Sequence, residues 1–393
     1  MRFAMAPNLS HLMLLLCSQS KFMPFVIFVK MRWHMQSNVS ILQVPLEKNP
    51  YPIYIGMDCS KDLPSYISEH LTAAAAVIVT DDIVAALYLN SIQNALVAHG
   101  IKIYTYVFPH GEASKSQTVL FDLLEFLAAH DINRNDALIA LGGGVVGDLA
   151  GFAASIYKRG MPYIQLPTTL LSAIDSSVGG KTAINLPIGK NLIGSFYQPK
   201  FVLCDTAMFA SLPTEELQSG IGELIKYAVL ADTFPLERLT KCTLENILED
   251  ITPFIIAALQ VKIDYVLKDE KDENVRQFLN LGHTIGHAVE QASGYTTKHG
   301  IAVGIGLAYM ARASYHLGYG SEAFTASLLS LLEQFSLPMT CTYPTDTLHA
   351  TARKDKKKKG NKTTIVMPYQ FGACALNEVD DDALRALIEV GAK

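Results

Sequence analysis

Short apolar runs alternate with stretches of helical periodicity between Val39 and Asp205. The apolar runs predict β-strands and lie at residues 53–55, 76–79, 101–104 and 137–141. The helical periodicity predicts helices at residues 82–99 and 116–130. Alternation of strands and helices is typical of a mostly parallel sheet with helices on both faces, so this part of the chain predicts an α/β domain.

Beyond Leu212 the strand signals fade and long helical patterns dominate. These patterns predict helices at residues 214–230, 253–268, 278–293, 302–317 and 322–335. We therefore expect an α/β domain at 39–206 and an all-α domain at 207–393. Residues 1–38 contain two apolar runs that are shorter than a membrane span, and we interpret this extension as disordered or as the product of a mis-assigned start codon.

Composition narrows the class of protein. Of 393 residues, 50% are hydrophobic and 18% are charged, which is typical of a globular chain. The formal net charge of -5 argues against nucleic acid as a partner. One strongly basic run, 354–360, predicts either a solvated loop or an anion site. Six widely spaced cysteines without a C-x-x-C pair favour reduced thiols in a cytosolic protein.

Glu223, His283 and His299 are polar residues in apolar stretches punctuated by glycine. Singly, each could be a satisfied polar group beside a helix. Together, a carboxylate and two imidazoles form the ligand set that holds a catalytic Zn²⁺ and leaves one coordination position open. His287 follows His283 by one helical turn, and Thr284 excludes the H-E-x-x-H motif of metalloproteases. Spacing alone predicts a metal site and leaves its chemistry open.

A glycine-rich turn follows the apolar run at 137–141. Gly142, Gly144 and Gly147 have G-x-G-x-x-G spacing, and Gly143 lies between the first two. Such glycines let backbone N–H groups approach a pyrophosphate at the start of a helix. The turn comes after several strands and lacks an acid about twenty residues later, so Asp81 is the candidate for contact with a ribose.

The segment 175–196 is rich in polar residues and glycine, which is compatible with a long surface loop or with a binding loop. Its SVGGKT sequence imitates the end of a Walker A motif, but Asp175 occupies the position of the first glycine, which excludes an ATPase of that kind. A charged stretch from Lys262 towards His283 predicts a mostly solvated helix, in which Arg276 and Asn280 are the better candidates for a site.

The chain from Val39 onwards closely resembles the 3-dehydroquinate synthase family. The resemblance rests on GEASKS, GGGVVGD, LPTTLLSAIDSSVGGKTAIN, GKNLIGSFYQP, GELIKY, NLGHTIGHA, KHGIAVGIG and the DKK run. It implies a Rossmann-like NAD-binding α/β domain followed by a helical metal-binding domain. It further implies one divalent metal (Zn²⁺ or Co²⁺), a cytoplasmic homodimer, and no nucleic acid or membrane as a partner.

The resemblance also assigns individual residues. Glu223, His283 and His299 match the metal ligands. Positions that contact NAD are matched by Asp81, Glu112, Lys115, Gly143, Gly144, Asp148, Thr168 and Thr169, beside the Gly142 and Gly147 of the turn. Positions around the substrate are matched by Asp175, Lys181, Lys190, Asn191, Lys226, Lys262, Arg276, Asn280 and His287.

Three further positions follow from the same resemblance. Arg159 matches an arginine that reaches the partner subunit's site, and Lys356 is favoured as the active-site lysine of the run 356–359. Asp272 stands where the family commonly has Glu, so its side chain is one methylene shorter.

The implied activity is that of a lyase in the shikimate pathway, which leads to the aromatic amino acids. The implied substrate is 3-deoxy-D-arabino-heptulosonate 7-phosphate, and the products are 3-dehydroquinate and phosphate. The reaction would proceed by transient oxidation at C5, phosphate elimination, re-reduction, ring opening and intramolecular aldol closure. The alternatives are another sugar phosphate cyclase, a metal-dependent glycerol-type dehydrogenase, and a catalytically silent scaffold. The lysines Lys181 and Lys190 argue against the dehydrogenase, because its substrate carries no phosphate.

Overall fold

The computed structural model describes residues 39–353 and 362–393, and the backbone of Arg32–Trp33 and Lys358–Lys359. Apart from the backbone of Arg32–Trp33, the predicted N-terminal appendage lies outside the described residues. The chain forms two compact units. One contains residues 27–220 and 248–271, and the other contains residues 221–247 and 272–393.

The first unit, here called the α/β unit, is built on an eight-stranded sheet with the order β1-β2-β3-β10-β7-β6-β4-β5. The strands from β3 to β5 in this order run parallel, and β1 and β2 add an antiparallel edge. The strands are β1 Arg32–Trp33, β2 Val39–Val44, β3 Tyr51–Gly56, β4 Ala75–Asp81, β5 Lys102–Phe108, β6 Ala137–Gly142, β7 Tyr163–Pro167 and β10 Val202–Asp205. The prediction of a mostly parallel sheet is confirmed.

Helices cover both faces of this sheet because successive strand residues point to opposite sides. Val77 and Val79 pack with one apolar cluster, and Ile78 packs with the other. The α-helices are α1 Leu63–His70, α2 Asn90–Ala98, α3 Gln117–Ala129, α4 Gly144–Ile156 and α6 Ile251–Lys268, with a short helix at Asp82–Val84. Short 3₁₀ helices are Cys59–Asp62, Glu112–Ser114, Tyr157–Arg159 and Thr206–Ser211, and π-helical turns are Ala85–Leu89 and Ser172–Ser176.

A β-hairpin replaces the surface loop that was one interpretation of residues 175–196. Its strands are β8 Lys181–Leu186 and β9 Gly189–Phe196. They pair antiparallel, with an irregularity between Ile184 and Leu186. Ala183 and Ile184 are buried, whereas Ile188 in the turn is 87% exposed. Burial of Ala183 and Ile184 therefore fixes one face of the hairpin, although the segment contains fewer apolar residues than a typical strand.

The second unit, here called the helical unit, is mainly α-helical. Helix α5 Thr214–Leu230 enters it at Ile221. Its other helices are α7 His283–Ala292, α8 His299–His316, α9 Glu322–Gln334, α10 Thr345–Ala352 and α11 Asp381–Gly391, with shorter helices at Leu236–Leu239, Ile247–Asp250 and Val275–Asn280. Ile305 and Tyr309 of α8 pack with Leu384 and Ile388 of α11 in one buried cluster.

A small sheet corrects the expectation of an all-α second domain. Strands β11 Lys358–Lys359, β12 Lys362–Gln370 and β13 Ala373–Val379 form an antiparallel sheet. The helix predicted at 253–268 is observed as α6, which ends at Lys268. The chain then turns through Asp272, whose φ is 60°, so the prediction that the charged stretch continues as a helix towards His283 is wrong. In the described ranges, no helix combines the length and apolar character needed to cross a bilayer.

Candidate metal and cofactor sites

The three predicted metal ligands lie together in the helical unit. Glu223 lies on α5, and His283 and His299 are the first residues of α7 and α8. The Nε2 atoms of His283 and His299 lie 3.5 Å and 3.4 Å from Oε1 of Glu223. One ligand atom from each residue falls within 4.8 Å of the others, so a single ion can reach all three.

Close backbone contacts between glycines bring these ligands together. A Cβ atom on Gly222, next to Glu223, would lie 2.0 Å from the carbonyl oxygen of Gly300, next to His299. A Cβ atom on Gly306 would lie 1.9 Å from the carbonyl oxygen of Gly282, next to His283. Side chains at these positions would push the backbones apart. Glycine therefore sets the spacing of the ligand-bearing segments.

Hydrogen bonds orient both imidazoles. Nδ1 of His283 donates to the carbonyl oxygen of Leu281 at 3.1 Å, and Nδ1 of His299 donates to Oε2 of Glu290 at 3.0 Å. Each ring therefore turns Nε2 towards Glu223. Partners of this kind on the far ring nitrogen fix the tautomer and raise the basicity of histidines that bind metals.

Glu290 is a residue that sequence analysis missed. Its side chain is 7% exposed, and it belongs to a second possible donor group with His287 and His299. The available signal was its position on α7, two helical turns after His283 and three residues after His287, which places it on the same helix face as both histidines.

The donor set fits a tetrahedral divalent ion. With zinc–ligand bonds of about 2.1 Å, neighbouring ligand atoms in a tetrahedron are about 3.4 Å apart. The two measured separations between imidazole nitrogen and carboxylate oxygen, 3.5 Å and 3.4 Å, match that edge. Glu223 is fully buried, where a carboxylate is stable only beside compensating positive charge.

Charge around Glu223 is balanced from two sides. Nζ of Lys226, 1% exposed, makes a close ion pair with Oε2 of Glu223. Burial alone would lower the pKa of His299, but hydrogen bonds and charge from Glu223 and Glu290 raise that pKa to about 10. Without a metal, His299 is therefore an imidazolium at neutral pH, and a metal must displace its proton.

Other predicted site residues of the helical unit lie near the ligands or next to them in the chain. The ring of His287 lies 5.3 Å from that of His283 and 5.9 Å from that of His299. Arg276, 3% exposed, and Asn280 belong to the 3₁₀ turn that ends three residues before His283. Lys356 lies outside the described residues.

The predicted NAD positions collect at one edge of the parallel sheet. Asp81, Gly142 and Thr168 stand at or directly after the carboxyl ends of β4, β6 and β7, and Glu112 follows β5. Strand order reverses between β4 and β6, because the chain leaves β4 for β5 on one side and then continues from β6 to β7 on the other. Ligands of open α/β sheets bind at such a reversal, outside the carboxyl ends of the strands.

The glycines of the turn divide into two roles. A Cβ on Gly142 would lie 2.4 Å from Val146, and a Cβ on Gly147 would lie 2.6 Å from Gln165, so close packing requires both. Gly143 is the N-cap of α4 and provides no side-chain cap. A Cβ on Gly143 would lie 3.2 Å from Cγ2 of Thr169. The start of α4 therefore keeps the open backbone N–H groups that an anion binds.

Two polar groups at this edge further characterise it. Oγ1 of Thr168 is buried and, within the described residues, has no hydrogen-bond partner, which suits a site for a polar ligand. Asp81 accepts a hydrogen bond from the backbone N–H of Val84 at 2.9 Å and so caps the next helix. Burial raises the pKa of Asp81. One of its oxygens thus has a structural partner.

A charged network joins the remaining predicted NAD positions. Nζ of Lys115, 4% exposed, lies 2.6 Å from Asp148 and 3.9 Å from Glu112. It also makes a close hydrogen bond with Oδ1 of Asn191, a predicted substrate position. Lys190 reaches the same carboxylate of Glu112 at 4.0 Å. Predicted cofactor and substrate residues therefore share one network in the α/β unit.

Other predicted substrate residues lie elsewhere in the α/β unit. Lys262, 5% exposed, pairs with Oδ1 of Asp175 at 2.7 Å, and Lys181 is exposed at the start of β8. Arg159 is exposed at the end of a 3₁₀ turn in which φ is 45° at Lys158 and 65° at Arg159. This left-handed backbone is uncommon for side chains of that size.

Sequence comparison identifies the family. Residues 105–219 match the N-terminal region of 3-dehydroquinate synthase, and residues 220–358 match its C-terminal region. A 3-dehydroquinate synthase of Shewanella frigidimarina (strain NCIMB 400) is 42% identical over 88% of this chain and 98% of its own length. The chain belongs to the 3-dehydroquinate synthase family. A further relative, the 3-dehydroquinate synthase of Streptococcus suis (strain 05ZYH33), is 38% identical over 89% of this chain and 99% of its own length.

Solved structures agree in fold. A 2-deoxy-scyllo-inosose synthase complexed with carbaglucose-6-phosphate, NAD⁺ and Co²⁺ superimposes with a TM-score of 0.81 and 24% identity, over 88% of this chain and 99% of the other. The 2-epi-5-epi-valiolone synthase of Streptomyces hygroscopicus subsp. jinggangensis 5008, with NAD⁺ and Zn²⁺ bound, superimposes with a TM-score of 0.80 and 24% identity, over 92% of this chain and 99% of the other. Glycerol dehydrogenase from Schizosaccharomyces pombe superimposes with a TM-score of 0.59 and 18% identity, over 85% of this chain and 88% of the other.

Proposed function

We propose that this family member is itself a 3-dehydroquinate synthase, a lyase that converts 3-deoxy-D-arabino-heptulosonate 7-phosphate to 3-dehydroquinate and phosphate. The observation that carries the proposal is identity of about two residues in five with a 3-dehydroquinate synthase over 98% of that relative's length. The buried cluster of Glu223, His283 and His299 supports it, because the proposed chemistry needs a metal site.

The proposed cofactors are NAD and one divalent ion, Zn²⁺ or Co²⁺. Glu223, His283 and His299 would hold the ion, and their spacing fits a tetrahedral site. The glycine turn at the start of α4, with Asp81, Thr168 and Thr169, would hold NAD. When bound, the two cofactors supply transient oxidation at C5 of the substrate and polarisation of the C5 oxygen.

Cationic residues of the chain would hold the two anionic groups of the substrate. Lys181, Lys190, Lys226, Lys262 and Arg276 are proposed to bind the carboxylate and the phosphate, with Asn191 and Asn280 as hydrogen-bonding partners. Asp175 keeps Lys262 in place through its ion pair. A ketone at C5 makes the C6 proton acidic, so phosphate can leave C7, and fixed positive charge stabilises the departing anion.

His287 is proposed to move a proton within the site. It follows His283 by one turn of α7 and its ring lies 5.3 Å from the ring of His283. An imidazole can both donate and accept a proton, which suits proton transfer during elimination and ring opening. Lys356 is proposed as a further cation for the substrate.

The assembly, location and domain limits are also proposals. We propose a cytoplasmic homodimer in which Arg159, exposed on its left-handed turn, reaches the partner subunit's site. The NAD-binding domain is proposed to span 39–206, and the metal- and substrate-binding domain 207–393.

Product identification tests the activity. The purified protein, loaded with Zn²⁺ or Co²⁺ and NAD⁺, is incubated separately with the heptulosonate phosphate, glucose 6-phosphate and glycerol, and products are identified by NMR. Formation of 3-dehydroquinate from the heptulosonate phosphate alone is expected. A carbocycle from glucose 6-phosphate would instead indicate another sugar phosphate cyclase. Oxidised glycerol with accumulating NADH would indicate a dehydrogenase.

A further inference from the structure

Asn185 joins two segments of the predicted site in the α/β unit. Its Nδ2 donates to Oε1 of Glu112 at 2.8 Å, and its Oδ1 accepts from the backbone N–H of Asn191 at 2.8 Å. Its own backbone N–H donates to the carbonyl oxygen of Lys115 at 2.8 Å. The nitrogen and the oxygen of the Asn185 carboxamide therefore both form hydrogen bonds, and so does the backbone N–H. This arrangement requires a side chain with both a donor and an acceptor, as an amide has.

The local backbone explains why a polar side chain stands here. Pairing between β8 and β9 is irregular between Ile184 and Leu186, so Asn185 lies at the irregularity. Such positions redirect a side chain away from its regular direction in the strand. Asn191, across the hairpin, has a φ of 54°. The hydrogen bond from Asn191 to Asn185 holds this left-handed conformation, which costs energy for a residue other than glycine.

The charges around Asn185 show what it holds in place. Oε1 of Glu112, which accepts the bond from Asn185, lies 3.9 Å from Nζ of Lys115 and 4.0 Å from Nζ of Lys190. The side chain of Asn191 in turn makes a close hydrogen bond with Lys115. The hydrogen bond from Asn185 thus fixes where the Glu112 carboxylate stands relative to Lys115 and Lys190.

We propose that Asn185 is a positioning residue that couples the NAD-contacting turn Glu112–Lys115 to the substrate-contacting pair Lys190–Asn191. The coupling rests on the proposed function, since that function assigns the two ligands. NAD binding that orders Glu112 would then order Asn191 and Lys190 through one side chain. If bound NAD strengthens substrate binding, bound substrate strengthens NAD binding by the same factor, because coupling between sites is reciprocal.

Two variants test the coupling. Asn185→Ala removes both side-chain hydrogen bonds, and Asn185→Asp keeps the acceptor for Asn191 but sets a carboxylate against Glu112. We expect Asn185→Ala to weaken NAD binding and to raise the KM for the heptulosonate phosphate by about tenfold each, because both lost bonds involve charged or strained partners. Asn185→Asp should weaken NAD binding at least as much. Ile188→Ser, at the 87% exposed hairpin turn, is the matched control and should change neither.

A double-mutant cycle separates positioning from general disruption. With Glu112→Ala, the combined loss of NAD affinity should be clearly smaller than the product of the single losses, because both changes break the same Asn185–Glu112 hydrogen bond. NAD affinity within twofold of wild type in Asn185→Ala, or losses that multiply, would overturn the proposal. If Asn185→Ala does not fold, the Asn185→Asp cycle decides by the same criterion. Wild-type protein that releases no phosphate from the heptulosonate phosphate would contradict the proposed function instead. The NAD titrations of the variants would still test the role of Asn185 in NAD binding.

Discussion

Oε2 of Glu290 lies 3.0 Å from Nδ1 of His299, and the Glu290 side chain is 7% exposed. Because a carboxylate only accepts hydrogen bonds, Nδ1 of His299 carries a proton and Nε2 faces Glu223. The geometry is that of a carboxylate–histidine–metal arrangement, in which the carboxylate strengthens the ligand without touching the ion.

Glu290→Gln should therefore weaken metal binding without unfolding the protein. The amide keeps the shape of the side chain but cannot offer the same negative charge to His299, and loss of such a partner typically costs about 10–100-fold in metal affinity. Competition with a chromophoric chelator measures the affinity. Glu333→Gln, at an exposed position on α9, is the matched control and should bind metal as the wild type does. Unchanged affinity in Glu290→Gln would show that Glu290 does not support the ligand.

The glycine contact beside Glu223 should be essential for the metal site. Gly222→Ala places a methyl group 2.0 Å from the carbonyl oxygen of Gly300, so the ligand-bearing segments must separate. Stoichiometric metal binding should be lost, and the free energy of unfolding should fall by about 1–3 kcal/mol, as in other overpacked interiors. Metal content and denaturant unfolding provide the measurements.

Gly304→Ala is the control for that substitution. Gly304 also lies within a helix, α8, but the nearest atoms to its added Cβ are 3.7–3.8 Å away. Ala is the better helix former, so this variant should be as stable as the wild type or more stable by up to about 1 kcal/mol. If Gly222→Ala and Gly304→Ala behave alike, close contact is not what sets the ligand spacing.

Metal uptake should release a proton. In the metal-free protein the carboxylates of Glu223 and Glu290 raise the pKa of His299 to about 10, so the imidazole is protonated below that pH and must lose its proton to bind metal. Apparent affinity should therefore rise by about tenfold per pH unit between pH 7 and 9. Calorimetry in buffers of different ionisation enthalpy counts the protons. His316→Gln, at an exposed position, should leave the count unchanged, and pH-independent binding without proton release would refute this assignment.

Lys181 should serve the substrate rather than NAD. It is exposed at the start of β8, and the proposed function places it against an anionic group. Lys181→Ala should lower kcat/KM for the heptulosonate phosphate by about 100-fold, the scale on which loss of one charge-stabilising donor acts. NAD affinity should stay near the wild-type value. Lys200→Ala, exposed in the same unit, should retain full activity, and a large loss of NAD affinity in Lys181→Ala would contradict its placement.

Hydrophobic periodicity predicted most of the elements that carry the site. The helix predicted at 214–230 is observed at Thr214–Leu230, and the strand predicted at 137–141 is observed at Ala137–Gly142. All of β6 and residues 219–230 of α5 are buried, so the apolar character of both segments agrees with their packing. The choice of Glu223, His283 and His299 followed from the same contrast, since polar side chains in apolar surroundings stand out.

The elements that sequence analysis missed lack that regularity. The β8–β9 hairpin contains mostly polar and small residues, and β12 contains Pro368 beside an irregularity in its pairing. The helix end at Lys268 was predicted, but the charged stretch beyond it was also expected to be helical, and no apolar stripe continues the helix there. Contacts such as Gly222–Gly300 join residues far apart in the chain, and residue types alone do not tell which glycines meet.

The most direct test of the central claim counts turnovers per NAD. The metal-loaded protein is given an excess of the heptulosonate phosphate and NAD⁺ at a small fraction of the substrate concentration, and phosphate release and NADH absorbance are followed together. We expect phosphate far in excess of NAD, with no net NADH, because the hydride taken from C5 returns within each cycle. Phosphate release that stops at one equivalent of NAD, or NADH that accumulates without phosphate, would contradict an internal redox cycle and with it the assignment as a 3-dehydroquinate synthase.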